Sequence, residues 1–460
     1  MKKLFLLAGA ALLAAPLASC GSGTVKPQAG DTIFIAPSAG EQTFGARPYF
    51  DVSDPAERLC FEIDVAGDIS QIIVGREQLY PGEDFGYADG VLTIKTDSFL
   101  DEEGNSLLGT GDISFSIVAD EMASIDVLFV NKVLRTVDDV LALNDYEDED
   151  NPTPITGSYI LGNDIDFSSI SNMQPIGYSN SDDGLHNNDF FNGVFDGNGY
   201  TISGVNIVWN TDLATNKNIY DGQPLWSDVS HSEGVNYGFF QEIGAAGVVR
   251  NVRFEDCSIK GKSIVGVVAG LVSGRIENVV VDSSCDVTAS THYYDESCNA
   301  AGLAGIVGTT GSVENCVVLT DDISVLEQYT DYDDVYLDEI PVDGTDPINY
   351  HVFYGGTKGW NDSNGADSTG VYGGVGLTYG SCHNCVSLRG GESLYWTQTH
   401  LEINKPYDGE DVGTAANCLS ADEATIKSAS TYASFPLDSW VIADGAYPRL
   451  RASHPYRIAE

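Results

Sequence analysis

Aromatic side chains in the stretches between repeated segments are the residues of this sequence best suited to contact a ligand. They are Trp209, Trp226, Tyr293, Tyr294, Trp360 and Trp396. Exposed Trp and Tyr rings can stack on neutral sugars, a contact that resembles other aromatic contacts and is worth about 0.5–1.5 kcal/mol each. The alternative is that the rings pack inserted loops against the flank of the protein. A binding role predicts at least two exposed rings on the same side of the molecule.

Two groups of residues could hold a metal ion. The run Tyr329–Glu339 is rich in Asp, and calcium is a hard ion that prefers several carboxylates. The run does not fit the twelve-residue calcium loop, so a solvated acidic loop is the other interpretation. Cys382 and Cys385 form a Cys-x-x-Cys pair, but a zinc site needs a second pair. We therefore expect no metal or redox role for these thiols, and calcium is the one cofactor left open.

Catalytic patterns are weakly represented. Glycoside hydrolysis uses paired carboxylates, and Asp is abundant, yet no repeated segment places two or three of them at one position. A polysaccharide lyase needs a basic proton acceptor, and Lys and Arg number 22 of 460 residues. A zinc peptidase of the His-Glu-x-x-His type is excluded because none of the seven His is followed by Glu. A glycan-active lyase or hydrolase remains the alternative to a non-catalytic function, and three or more carboxylates converging in one cleft would favour it.

Repeated segments must position these residues. Asn251, Asn278 and Asn315 each follow a Gly-rich turn and a short apolar run, and weaker copies occur at Asn384 and Asn417. The successive spacings are 27, 37, 69 and 33 residues. A repeat of this length, with strands and no helical pattern, predicts a solenoid. Stacked coils share a core that a single coil cannot bury.

The fixed Asn indicates which kind of solenoid this is. Adjacent parallel strands lie about 4.8 Å apart, which allows each Asn side chain to bond the Asn one coil away. Cys316, Cys385 and Cys418 directly follow their Asn and predict an inward stack of small apolar side chains. We interpret the coils as a parallel β-helix.

Several motifs of these coils resemble the GLUG repeats of bacterial surface proteins. They are Gly302–Gly305, the leader segments Tyr159–Asp166, Gln174–Gly177 and Asn192–Ile202, and the closing segment Trp440–Leu450. The resemblance covers residues 135–452. It implies a right-handed parallel β-helix on cell-envelope proteins, which are often adhesins, and it implies no single reaction.

A separate module precedes the repeats. Residues 41–134 contain short strand-like runs between Gly and Asp turns, which predict a β-sandwich. Leu79–Phe85 and Val91–Ile94 resemble the immunoglobulin-like "X-two" modules of polysaccharide-degrading enzymes, which mostly act as spacers. We therefore predict an all-β chain, with an immunoglobulin-like sandwich at 41–134, a parallel β-helix at 135–452 and a tail at 453–460.

Both ends of the β-helix carry signals for a cap. Thr136 predicts the start of a helix that covers the first coil. Ser420–Glu423 predicts a second helix, with Trp440–Leu450 lying over the last coil.

The N-terminus reads as an export signal over residues 1–20. Lys2 and Lys3 precede the apolar run Leu4–Leu13, which is too short to span a bilayer. Leu17–Cys20 resembles the lipobox of bacterial lipoproteins, which implies cleavage before Cys20 and attachment of lipid to it. The alternative is an ordinary signal peptide with an incidental Cys. Gly21 after Cys20 resembles lipoproteins sorted to an outer membrane, and we expect residues 21–40 to form a tether.

The charge restricts the partners. A formal net charge of −46 excludes nucleic acid and anionic lipid as non-specific partners and argues against polyanionic sugars. We therefore predict a lipid-anchored, non-catalytic and adhesin-like envelope protein that binds a neutral glycan or a host or neighbouring cell surface. The sequence leaves its oligomeric state open.

Overall fold

The structure is a computed structural model, and the chain is almost entirely β, as the sequence predicts. The residues it describes are 25–36, 48–54, 58–99, 107–144, 155–177, 190–208, 211–212, 217–218, 236–262, 264–291, 299–328, 350–353, 356–359, 368–388, 398–399, 413–451 and 456–459. Within these ranges there are two α-helices, and both are short.

The first part of the chain is a β-sandwich. Its strands are β1 (Thr32–Ile35), β2 (Tyr49–Asp51), β3 (Arg58–Glu62), β4 (Gln71–Val74), β5 (Glu77–Leu79), β6 (Phe85–Ala88), β7 (Val91–Lys95), β8 (Gly111–Val118) and β9 (Met122–Val130), with a 3-10 turn at Thr96–Phe99. Sheet 1 contains β1-β3-β7-β6 in that order, and sheet 2 has the order β2-β9-β8-β4-β5. Phe50, Phe115 and Phe129 from sheet 2 surround Phe99 in the core between them, with ring centroids 5.6–6.1 Å from that of Phe99.

The sandwich passes into the solenoid without a linker. β10 (Lys132–Leu134) follows β9 after Asn131 and pairs in parallel with β11 (Ser158–Leu161) of the first coil. The carboxylate of Asp51 accepts the backbone N–H of Val133 at 2.8 Å. Val133 and Ile160 are buried in the same apolar cluster as the sandwich core. The apolar core of the sandwich therefore extends onto the first coil.

A short helix covers the first coil, where the sequence predicts one. Helix α1 (Val137–Leu141) begins after Thr136, whose hydroxyl accepts the backbone N–H of Asp139 at 3.1 Å. The Asp139 carboxylate accepts the backbone N–H of Thr136 in return, which completes a capping box. A 3-10 turn at Ala142–Asn144 follows. Val140 is fully buried and packs on the solenoid core.

Short strands build the coils. In chain order after β11 they are β12 (Ile165–Asp166), β13 (Val194–Asp196), β14 (Thr201–Ser203), β15 (Asn206–Val208), β16 (Thr211–Asp212), β17 (Lys217–Asn218), β18 (Asn236–Tyr237), β19 (Phe240–Ile243), β20 (Val248–Glu255), β21 (Ser258–Lys262), β22 (Ile264–Gly266), β23 (Ala269–Val272), β24 (Arg275–Val281), β25 (Asp286–Thr291), β26 (Asn299–Ala301), β27 (Ala304–Val307), β28 (Ser312–Glu314), β29 (Val317–Val318), β30 (Ile323–Gln328), β31 (Tyr350–Phe353), β32 (Gly356–Gly359), β33 (Ser368–Tyr372), β34 (Val375–Thr378), β35 (Ser381–His383), β36 (Val386–Leu388), β37 (Gln398–Thr399), β38 (Thr414–Ala416) and β39 (Leu419–Ala421).

Pairing between coils is parallel and produces four long sheets, of which two end in an antiparallel strand, β31 and β32. Sheet 3 runs β10-β11-β13-β20-β24-β28-β35-β38, sheet 4 runs β15-β21-β25-β30-β31, sheet 5 runs β18-β22-β26-β33-β32, and sheet 6 runs β19-β23-β27-β34-β37. One coil passes through sheets 5, 6, 3 and 4 in turn, as β22, β23, β24 and β25 do. The register is constant from coil to coil, so Val249, Ile276, Val313 and Cys382 stack as one buried column.

The C-terminal segment runs along the flank of the solenoid. This strap, residues 422–451, contains helix α2 (Glu423–Ile426), a 3-10 turn at Ala429–Tyr432, and the antiparallel pair β40 (Trp440–Val441) and β41 (Arg449–Leu450). Asp422 caps α2, its carboxylate accepting the backbone N–H of Thr425 at 2.8 Å.

The sequence predicts that Trp440–Leu450 lies over the last coil, and this is wrong. β41 contacts β20 and β24, which belong to coils near the sandwich. The reason is an outward-facing apolar column on sheet 3 that needs a cover. Val280, Val317 and Val386 form it, and Phe435 and Trp440 of the strap bury it.

The two ends of the described chain meet in the sandwich. β42 (Tyr456–Ile458) pairs antiparallel with β1, so that Thr32 lies opposite Ile458, and sheet 1 becomes β42-β1-β3-β7-β6. The predicted tether at 21–40 and tail at 453–460 are therefore wrong for the parts that the structure describes, because residues 30–35 and 456–459 belong to the sandwich. The physical reason is that β1 buries Ile33 and Phe34, while its outer backbone edge needs a partner.

Truncation after Arg451 tests this closure. Loss of β42 removes several backbone hydrogen bonds, each worth about 0.5–1.5 kcal/mol, so we expect the sandwich to lose at least about 2 kcal/mol of stability. Amide hydrogen exchange should accelerate at Thr32–Ile35 and stay unchanged at Arg275–Val281, the internal control. Unchanged protection of Thr32–Ile35 would contradict the pairing.

Candidate functional site

One Asn per coil bends the chain within sheet 3. The five residues share a left-handed backbone with φ between 52° and 56°, and they are Asn251, Asn278, Asn315, Asn384 and Asn417. Among residues other than Gly, Asn and Asp adopt this conformation most readily, because their short polar side chains bond locally. The residues before them, Glu277, Glu314 and His383 among them, are in register across the coils. The Asn residues therefore occupy equivalent places in successive coils.

Amide hydrogen bonds connect these side chains. Asn278 Nδ2 donates to Asn251 Oδ1 at 3.2 Å. Asn384 Nδ2 donates to Asn315 Oδ1 at 3.3 Å, and Asn417 Nδ2 donates to Asn384 Oδ1 at 3.2 Å. We call these five residues the Asn ladder. Each bond satisfies a polar group that the bend would otherwise leave unpaired.

The hydrogen bonds divide the ladder into two runs, Asn251–Asn278 and Asn315–Asn384–Asn417. Two residues outside the ladder bond the ends of the first run. Asn251 Nδ2 donates to Asp196 Oδ1 at 3.1 Å. In the preceding coil the acceptor is therefore a carboxylate and not an Asn amide. At the other side, Trp440 Nε1 donates to Asn278 Oδ1 at 3.0 Å. The strap and the coil of Asp196 are thus joined through Trp440, Asn278, Asn251 and Asp196.

Thiols support the same bends from inside. Cys316 and Cys385 are buried in the solenoid core, and Cys418 packs against it. Each Sγ donates to the carbonyl of the residue two positions earlier, at 3.2 Å for Cys316, 3.1 Å for Cys385 and 3.6 Å for Cys418. Burial, together with the neighbouring thiol of Cys316, raises the pKa of Cys385. The Cys385 thiol therefore stays protonated and can donate to the carbonyl of His383.

A cleft opens where the sandwich, the first coils and the strap meet. Its volume is about 370 Å³. The sandwich and first coil contribute Leu128 and Ile160, and the strap contributes Asp438, Ser439, Leu450 and Arg451. The coils contribute polar and charged residues together with Gly199, namely Asp196, Asn198, Arg250, Asn251, Glu277 and Asn278. The start of the Asn ladder is therefore one wall of this cleft.

Arg250 is the central charge of the cleft. Its Nε donates to Asp196 Oδ2 at 2.7 Å, and its Nη1 lies 3.8 Å from Glu277 Oε1. Burial opposes the charged form, but the carboxylates of Asp196 and Glu277, with Asp112 of the sandwich, raise the pKa of Arg250 overall. The guanidinium thus holds two coils and faces the sandwich at the same time.

The three carboxylates of the cleft differ in what they can still bind. Both oxygens of Asp196 accept hydrogen bonds, from Arg250, Asn251 and the backbone of Asn198. Glu277 lies 3.8 Å from Arg250 and 3.5 Å from Arg275, beyond the roughly 3.2 Å of a good hydrogen bond. Asp438 is exposed and accepts the hydroxyl of Ser439 at 3.3 Å. Asp196 is therefore structural, whereas Glu277 and Asp438 can accept hydrogen bonds from a ligand.

The predicted ligand-binding aromatics and the anchor lie outside the described residues. These are Trp209, Trp226, Tyr293, Tyr294, Trp360, Trp396 and Cys20, and the acidic run at 329–339 lies outside them too. The described strands show where three of the insertions leave the solenoid. Each follows a strand of sheet 4 and precedes one of sheet 5, as β15 and β18, β25 and β26, and β30 and β33 do.

The described part of the chain contains neither a metal-binding cluster nor a membrane-spanning helix. In that part, no group of three or more His, Cys, Asp or Glu side chains is arranged to hold a metal ion. Likewise, none of the helices found there has the length and apolar character needed to cross a bilayer.

The cleft residues escaped the sequence analysis because they come from distant segments. Asp196 belongs to the leader, Arg250 and Glu277 to two coils, and Asp438 and Arg451 to the strap. One signal was present, since Arg250 and Glu277 directly precede aligned Asn residues and must share a face. Nothing in the sequence placed the strap beside them.

Comparison with known proteins gives one partial similarity. A stretch of 170 residues, 35% of this chain, is 29% identical to "Halomucin" from Haloquadratum walsbyi (strain DSM 16790 / HBSQ001). The match spans 1% of that protein's length. No family model matches the chain, and no solved structure matches it.

Substitution of Asn384 separates the two roles of the ladder. In Asn384→Ala, a left-handed backbone without Asn or Gly costs about 1–2 kcal/mol, and two amide hydrogen bonds add about 0.5–1.5 kcal/mol each. Asn384→Gly should lose only the second contribution, because Gly tolerates positive φ. We expect urea unfolding to show Ala less stable than wild type by about 2–5 kcal/mol, with Gly in between. Equal losses for both variants would contradict the backbone role.

Proposed function

We propose that this protein is a lipid-anchored, surface-associated binding protein whose junction cleft takes a neutral, polyhydroxylated ligand such as the end of a glycan chain. The cleft carries the proposal. It is concave, lies between three parts of the fold, and combines fixed polar groups with Leu128, Ile160 and Leu450. Its volume is at the lower end of the range of about 300–1,000 Å³ for small-molecule sites.

The balance of charges favours a neutral ligand. Asp196, Glu277 and Asp438 face Arg250 and Arg451 across the cleft, which leaves one net negative charge among these groups. A polyanion would meet the net charge of −46 carried by the whole chain. Hydroxyl groups both donate and accept, so they suit carboxylate acceptors beside guanidinium and amide donors. The described lining includes no aromatic ring, so affinity here would depend on hydrogen bonds.

A glycan-active enzyme is the second candidate, because three carboxylates do line one cleft. Paired-carboxylate hydrolysis needs one group to act as a proton donor and another as base or nucleophile. Asp196 is committed to Arg250 and Asn251, and Glu277 lies between Arg250 and Arg275. This arrangement supports binding more than catalysis.

Surface location and anchoring belong to the same proposal. The signal and lipobox pattern ending at Cys20 supports export and lipid attachment, with the outer membrane as destination. The similarity to Halomucin and the resemblance to GLUG repeats support a surface-associated role of the adhesin kind. The insertions at the corner between sheets 4 and 5 would offer a second contact surface, with its calcium dependence left to experiment.

Glu277→Gln tests the cleft. Loss of a charged acceptor costs about 1.5–3 kcal/mol, so affinity for a neutral saccharide identified on a glycan array should fall at least about tenfold. Isothermal titration measures the affinity. The melting temperature should change little, because both Glu277 ion pairs, at 3.8 and 3.5 Å, are longer than a good hydrogen bond.

Glu314→Gln is the matched control. Glu314 is in register with Glu277 one coil further on and is not among the residues that line the cleft. Its substitution should leave affinity unchanged. Equal losses in the two variants, or no neutral saccharide bound by the array, would contradict the cleft as the site.

Cys20→Ser tests the anchor. Without the thiol no lipid can be attached, so the protein should move from the membrane fraction to the soluble fraction after cell lysis. Quantitative immunoblotting of the two fractions measures the change. A variant that stays with the membrane would show that the lipobox interpretation is wrong.

A further inference from the structure

The segment that follows the anchor is packed into the sandwich from Val25 onward. Val25 is 7% exposed. A Cβ added to Gly86 of β6 would lie 2.1 Å from the carbonyl oxygen of Val25, so this backbone rests directly on β6. Gly86 is therefore needed for close approach at this point.

The segment remains fixed between Val25 and β1. The backbone N–H of Gln28 donates to the Asp31 carboxylate at 2.5 Å, and Asp31 lies 3.6 Å from Arg58 of β3. Gly30 donates its N–H to Ala459 O at 3.0 Å, and Ala459 donates to Asp31 O at 2.9 Å. The C-terminal residues thus hold the N-terminal segment in place.

The stretch of chain between Cys20 and the packed residue Val25 is short. Only residues 21–24 lie between Cys20 and Val25. At most about 3.6 Å per residue is available, so Cys20 and Val25 are separated by no more than about 18 Å. The headgroup layer itself takes about 5–8 Å on each side of a bilayer.

We propose that the sandwich sits directly against the bilayer surface along β6 and the turn before it, with no free tether. This rests on the proposed lipid attachment at Cys20. Two side chains at this surface suit headgroups. Lys26 is exposed, and Tyr80, in the turn that leads into β6, is 49% exposed. Tyr side chains favour the membrane–water interface. In the described part of the chain, β6 pairs only with β7, so it is an edge strand.

Protease release from membranes tests the proposal. The full-length lipidated protein is reconstituted in zwitterionic phosphatidylethanolamine–phosphatidylcholine vesicles and treated with proteinase K, and the protein released to the supernatant is quantified over time. A variant with ten Gly-Ser residues inserted between Gly23 and Thr24 supplies the rate for a free tether. We expect the wild type to be released at least fivefold more slowly than this variant.

Two substitutions test whether the contact between Val25 and Gly86 of β6 holds the segment in place. Gly86→Val should displace Val25 and raise the release rate toward that of the insertion variant. Ala88→Val, which adds the same side chain at an exposed position of the same strand, should behave as the wild type. If Gly86→Val has a lower melting temperature than the wild type, Val25→Asp is the second variant that should displace the segment from β6.

Each outcome decides the proposal. Wild-type release as fast as that of the insertion variant would overturn it, as would wild-type rates in both Gly86→Val and Val25→Asp. If the wild type failed to sediment with vesicles before protease treatment, the anchor itself would be wrong and both proposals would fall.

Discussion

A left-handed Asn, once per coil, is the constraint on which the rest of the solenoid depends. The bend it makes in sheet 3 must recur at the same place in every coil, and this fixes the register of all four sheets. Within each of the two runs, Asn251–Asn278 and Asn315–Asn384–Asn417, its amide bonds the amide of the next coil, so the residue that makes the bend also ties coils together. Stacking of the buried columns follows from that register. Insertions are accommodated at the corner between sheets 4 and 5, where no such bond is interrupted.

The ends of the first ladder run connect the repeats to the rest of the chain. Trp440 supplies a donor from the strap, and Asp196 supplies an acceptor that is ion-paired with Arg250. A Trp that is fully buried must satisfy its indole N–H, and an amide oxygen at the side of the ladder does so. The strap is therefore positioned both by apolar cover of sheet 3 and by one directional bond. Residues 438–439 and 450–451 of the strap complete the cleft.

Pairing of the last described strand with the first covers a sheet edge that would otherwise be exposed. The last strand, β42, completes the sheet that begins with β1, and the first coil continues the strand that ends the sandwich. Binding at the junction would therefore involve groups that also hold the two parts together. A ligand seated there would stabilise the junction as well as bind to it, since it would contact the sandwich, the coils and the strap at once.

By itself, the sequence determined the parts of the fold that repeat locally. The repeated coil segment, the Asn at each bend, the Cys after three of them and the cap at Thr136 are all local patterns. Each specifies a backbone conformation or a buried face. Tertiary structure alone decided where Trp440, Asp438 and Tyr456–Ile458 go. Trp440 bonds Asn278 and Tyr456–Ile458 pairs with Thr32–Phe34, partners 160 residues or more away, and no local pattern encodes a partner at that distance. The cleft belongs to this second group, because its walls come from segments that only folding brings together.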